Sequence, residues 1–166
     1  RNIFDQYSQP ENRLTHSLVS VLSRDSALLK SFLAEFGPRV VPPVDRLSIL
    51  EQSLPGRVED DEGEKAQQGL PDAMIYSDKG WALAVESKVQ DRLTKNQLDR
   101  HHRTVSRCGF EKVSGLAITV KKPGFALDNW RMIEWQDVYA WANKSKAQSE
   151  WARILVDYFN VADSKM

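Results

Sequence analysis

Leu14, Leu18, Val21 and Leu22 fall at helical spacing on one face, which predicts a helix over residues 9–24. A second helical run, 26–36, ends at Gly37-Pro38, a pair that stops a helix. The proline-rich stretch 38–43 is a connector, and 46–54 reads as a first strand. Next comes an acidic loop, Glu59-Asp60-Asp61-Glu62-Gly63-Glu64. Two strand-like runs follow at 69–77 and 81–89, then a helix at 95–107 and a buried strand at 113–121. A short strand at 131–135 and helices at 136–144 and 147–160 complete an α/β order without repeats or low-complexity segments.

The two runs at 69–89 depart from a purely apolar pattern. They read Gly-Leu-Pro-Asp-Ala-Met-Ile-Tyr and Trp-Ala-Leu-Ala-Val-Glu-Ser-Lys, so Asp72, Glu86 and Lys88 interrupt otherwise apolar strands. Charged side chains are rarely buried without partners. The intervening Asp78-Lys79-Gly80 suits a three-residue hairpin loop with Gly80 in the left-handed position. That register sets Ser77 opposite Trp81 and, counting back, Asp72 opposite Glu86. Opposed residues have Cβ atoms roughly 4.5–5.5 Å apart, so two carboxylates there repel unless a positive charge lies between them. Alternation puts Glu86 and Lys88 on one face, with Val85, Ser87 and Val89 on the other. Two carboxylates and an ammonium on one face are what a hard divalent metal and an activated water require. A solvated sheet edge with a Glu–Lys pair is the simpler alternative. The apolar flanks Ala82–Val85 and Ala73–Ile75 argue instead for a central strand covered on both sides.

Pro71-Asp72 followed by Glu86-Ser87-Lys88 resembles the signature of the PD-(D/E)xK nuclease superfamily. The short motif is weak alone; its placement across a hairpin, after one helix and before another, is more specific. The resemblance runs from about Glu11 to about Trp141. It implies a restriction-endonuclease-like αβββαβ core, with a central mixed sheet flanked by helices. It further implies metal-dependent hydrolysis of phosphodiester bonds in DNA. Asp72 and Glu86 would bind Mg²⁺, with Mn²⁺ able to substitute. The Ser87 carbonyl would be a further ligand, and Lys88 would position and help deprotonate the attacking water.

Several other residues are drawn in by the same resemblance. Glu11 matches an additional acid that members place on the first helix, although Ser8-Gln9-Pro10-Glu11 also reads as a capping box. Thr15, one turn on, is placed to orient it. Gln97 matches a glutamine used near the site in several branches, and Thr94-Lys95-Asn96-Gln97 is equally a capping box. Asn96, Arg100, Arg103 and Arg107 form one ridge, extended by Arg92, that reads either as a solvated face or as a phosphate rail. Adjacent helical residues point about 100° apart, so His101 and His102 do not chelate one ion. His101 is expected to approach a phosphate, His102 to pack or face water, and His16 has no evident partner. Trp130, Trp135, Trp141 and Trp151 are assigned to packing rather than base stacking.

The whole-chain properties narrow the picture without deciding it. At 166 residues the chain is read as a single domain with a real core. Lysine plus arginine equal aspartate plus glutamate, 23 each, so a nucleic-acid surface must be a local patch. The single Cys108 excludes an internal disulfide and a cysteine zinc cluster, and fits a cytoplasmic setting. No apolar run approaches the ~20 residues that span a bilayer, so no membrane is expected as a partner. The start at Arg1 and the polar end at Met166 lead to the expectation of a domain cut from a longer chain. The resemblance adds an expected setting: a nuclease effector of prokaryotic restriction or anti-phage defence, with double-stranded DNA as partner and a homo-oligomer as one possible state. The alternatives carried with it are a catalytically silent nucleic-acid-binding or interaction module of the same fold, and a ribonuclease or structure-specific resolvase.

Overall fold

The central hairpin forms in the register that its turn dictates. In the computed structural model, which describes residues 10–51, 69–90 and 92–163, β2 (Ala73–Ser77) and β3 (Trp81–Lys88) are antiparallel. Ser77 lies opposite Trp81, and Gly80 sits between them at φ 76°. Only glycine takes that backbone conformation without strain. The Lys79 N–H donates to Ser77 Oγ at 3.3 Å, which tightens the loop.

β3 is the middle of a five-stranded mixed sheet. β1 (Leu47–Glu51) pairs antiparallel with β2, giving a β1–β2–β3 meander. β4 (Lys112–Thr119) and β5 (Trp130–Glu134) continue the sheet in parallel with β3. A parallel neighbour requires a crossover connection, and a helix, Lys95–Arg107, supplies it between β3 and β4. Because β3 has strands on both sides and helices on both faces, every residue from Trp81 to Ser87 is buried.

The period of two along β3 separates two cores. Trp81, Leu83 and Val85 pack with α1 (Pro10–Arg24) and α2 (Ser26–Phe36) in the larger core. Numbering the crossover helix α3, the last two helices, α4 (Trp135–Ser145) and α5 (Glu150–Asp163), complete that layer. On the opposite face Ala82, Ala84 and Ala117 meet Leu98 and Val105 of α3. Their small side chains let the helix lie close to the sheet. Gly115 on β4 makes room for the ring of its partner on β5: a Cβ there would come 2.1 Å from Trp130 Cδ2.

The helix ends follow capping chemistry. Asp25 Oδ1 accepts from the Leu28 N–H at 2.9 Å at the start of α2, and Thr94 Oγ1 accepts from the Gln97 N–H at 3.2 Å at the start of α3. α5 begins at Glu150 rather than 147 because Ser149 Oγ takes the Ala152 N–H and itself donates to Asp25 Oδ2. A short 3₁₀ turn, Val44–Arg46, interrupts what the sequence presents as connector and strand. The acidic loop at 59–64 lies outside the described residues. Trp130, Trp135 and Trp141 are buried and Trp151 half-buried against the larger core, in agreement with a packing role. Among the described residues no helix is long and apolar enough to cross a membrane.

Candidate active site

The chain enters β2 through Gly69-Leu70-Pro71-Asp72, and Asp72 stands one residue before the last hairpin pair, Ala73–Val85. Asp72 is thereby brought beside the end of β3, where its Oδ2 accepts from the Ser87 N–H at 2.8 Å. Glu86, on the α3 face of β3, is 2% exposed. Its Oε1 accepts from Gln97 Nε2 at 2.5 Å, and Lys88 Nζ lies 3.6 Å from the same oxygen. Lys88 is more open than the carboxylate it faces, with 18% of its side chain exposed.

The second Glu86 oxygen is the unusual one. Oε2 lies 3.3 Å from His101 Nε2, close enough for charge attraction but without the alignment of a hydrogen bond. Both atoms are buried and neither has a hydrogen-bond partner. His101 Nδ1 lies 3.0 Å from the Gly69 carbonyl, which can only accept, so Nδ1 carries a hydrogen. His101 thus faces inward from α3, onto the Glu86 carboxylate and the Gly69 carbonyl.

The electrostatics record two acids competing for little positive charge. Burial and then the neighbouring Glu86 carboxylate push the Asp72 carboxyl up to about 7. The Ser87 N–H, Lys88 and His101 oppose that rise without reversing it. Burial pulls the His101 imidazole down, but the Glu86 carboxylate, the Gly69 carbonyl and the Asp72 charge together leave its pKa raised. Two carboxylates that repel, one with an unsatisfied buried oxygen, form a donor set that a hard cation would relieve. Among the described residues, however, no group of three or more His, Cys, Asp or Glu side chains could hold a metal ion. A cation here would therefore complete its shell with backbone oxygen and water, as Mg²⁺ commonly does.

The remaining predicted residues divide. Gln97 reaches Glu86 with its side chain while Thr94 caps its backbone N–H, so its two readings describe different atoms of one residue. Ser87 is buried, and its Oγ lies 2.5 Å from Thr15 Oγ1 on α1, pinning that helix to the opposite face of β3. Glu11 lies on α1, but its side chain is outside the described residues. Arg92, Asn96, Arg100, Arg103 and Arg107 are all exposed. The four on α3 occupy its solvent side, away from the Leu98–His101–Val105 face that meets the sheet, and Arg92 precedes the helix. Arg103 Nε donates to its own helix at Asp99 O, 3.3 Å away. The ridge starts beside Gln97 and leaves the carboxylates as it follows the helix.

Two contacts escaped the sequence reading. His101 falls on one helix line with Gln97 by its spacing, but its partners Gly69 and Glu86 do not follow from that spacing. His16 Nδ1 lies 2.9 Å from Glu51 Oε2 at the end of β1, which gives this histidine its partner. Burial raises the Glu51 pKa, against the lowering influence of His16.

No protein-family model matches this chain, and neither a curated protein nor a solved structure matches it.

Proposed function

We propose that the domain is a metal-dependent endonuclease of the PD-(D/E)xK type that hydrolyses phosphodiester bonds in DNA. The observation that carries this reading is the half-buried Asp72 at the end of β3 beside the buried Glu86, with Lys88 against Glu86. The topology supports it: a helix, an antiparallel β1–β2–β3 meander, a helix and a parallel β4 follow the restriction-endonuclease-like order.

Asp72 and Glu86 would hold Mg²⁺ or Mn²⁺, with the Ser87 carbonyl beside them. The bound ion would supply charge to the phosphate oxygens and lower the pKa of a coordinated water. Gln97 fixes the Glu86 carboxylate from α3. Lys88, the more exposed member of its ion pair, would position the attacking water and help deprotonate it. Double-stranded DNA is the proposed partner, and a cytoplasmic effector of prokaryotic restriction or anti-phage defence, with self-association, is the proposed setting.

A second reading draws on the closure of Glu86. It is 2% exposed and is already met from within by Gln97, Lys88 and His101. This fits a binding module of the same fold that has lost the chemistry. Cleavage of plasmid and linear DNA with Mg²⁺ or Mn²⁺ decides between them. Metal-dependent cleavage that is abolished in folded Asp72→Ala, Glu86→Ala and Lys88→Ala supports the nuclease. Full activity in any one of these variants sinks the assignment, and no metal binding at millimolar concentration favours the module.

A further inference from the structure

We infer that His101 is a positioning residue that sets the spacing between the two acids. The inference rests on the reading that Asp72 and Glu86 hold a divalent cation. The ring is 3% exposed and spans both acid-bearing segments. Nδ1 donates to the Gly69 carbonyl at 3.0 Å, three residues ahead of Asp72, while Nε2 stands 3.3 Å from Glu86 Oε2.

Three features make this contact more than core filling. Gly69 is seated against the same helix, since a Cβ there would come 2.9 Å from Thr104 Oγ1. Between Gly69 and Asp72 the buried Pro71 has a fixed φ, which removes one of the rotations that could absorb a displacement at Gly69. Gln97, one turn before His101, holds the other Glu86 oxygen. One face of α3, from Gln97 through His101 to Thr104, therefore locates Glu86 and the approach to Asp72 together. Most buried side-chain nitrogens have a hydrogen-bond partner, whereas Nε2 here is buried without one. Its position is explained by the carboxylate that it faces.

The spacing of two ligands governs how well they share one ion, and residues that orient ligands typically contribute 10–100-fold to metal affinity. The test is isothermal titration of Mg²⁺ and of Mn²⁺ into the whole chain and into His101→Leu and His101→Gln, with circular dichroism and thermal melts run in parallel. His101→Leu removes both contacts and is expected to weaken metal binding about 10–100-fold while the fold is retained. His101→Gln keeps an amide that can serve one partner, and its affinity is expected to fall between Leu and wild type. It also keeps the inference falsifiable if the Leu variant does not fold. Wild-type affinity in whichever of the two variants is folded overturns this inference alone. A wild-type chain that binds neither metal overturns the functional reading, and the positioning role with it.

Discussion

Gln97 donates its side-chain amide to Glu86 Oε1 at 2.5 Å, while its backbone N–H is capped by Thr94. The first turn of α3 therefore carries a helix start and a site contact at one residue, through separate atoms. The carboxylate it meets is buried in a strand, so the bond substitutes for water that cannot reach it. A hydrogen bond to a charged group contributes roughly 1.5–3 kcal/mol when the alternative is a buried, unsatisfied acceptor. Gln97→Ala is expected to lower stability by about 1–3 kcal/mol. Chemical denaturation without metal measures it, and an unchanged midpoint at unchanged slope would show that the contact carries no net stability.

Asp72 gives the domain a pH dependence whose sign follows from its surroundings. Burial and Glu86 raise its carboxyl from 3.8 to about 7 in the folded, metal-free chain. The folded state thus holds a proton that the unfolded chain releases near pH 4. The stability contribution of protonated Asp72 is full below that pH, falls as pH rises through about 7, and is absent above. Asp72→Asn removes the ionisation while keeping an oxygen for the Ser87 N–H. In chelator, its melting temperature is expected to exceed that of wild type at pH 8, with the gap closing toward pH 4. A gap that widens on acidification would contradict the raised value.

How much of this was legible in the residues depended on whether the determining contact is local. The Asp78-Lys79-Gly80 turn fixed the hairpin register because glycine alone accepts its left-handed position, and the Asp72–Glu86 juxtaposition followed by counting. The start of α3 was equally readable from the Thr94 cap. His101 was visible as a neighbour of Gln97 but not as a partner of Gly69, because a backbone carbonyl 32 residues away leaves no mark on composition or period. His16 and Glu51 are 35 residues apart and meet only once β1 is paired against the hairpin. The start of α5 was misplaced for the same reason, since Ser149 answers to Asp25 in another helix. Local chemistry set the elements, and contacts between distant segments placed the polar partners.

The basic ridge on α3 is the last element whose role turns on measurement. Arg92 and, along one side of α3, Asn96, Arg100, Arg103 and Arg107 are exposed, a geometry shared by solvated faces and phosphate rails. The two differ in salt response. Each phosphate neutralised releases counterions and steepens the dependence of binding on salt by about 0.9 in log–log slope. The N-terminal end of the ridge lies next in sequence to Gln97, which meets Glu86, so that end has the greater claim. Arg92→Ala and Arg100→Ala are expected each to lower the slope for duplex DNA by about one, with Arg107→Ala lowering it less. Fluorescence anisotropy in Ca²⁺ across a salt series reads this without cleavage. Slopes indistinguishable from wild type in all three would assign the ridge to solvent.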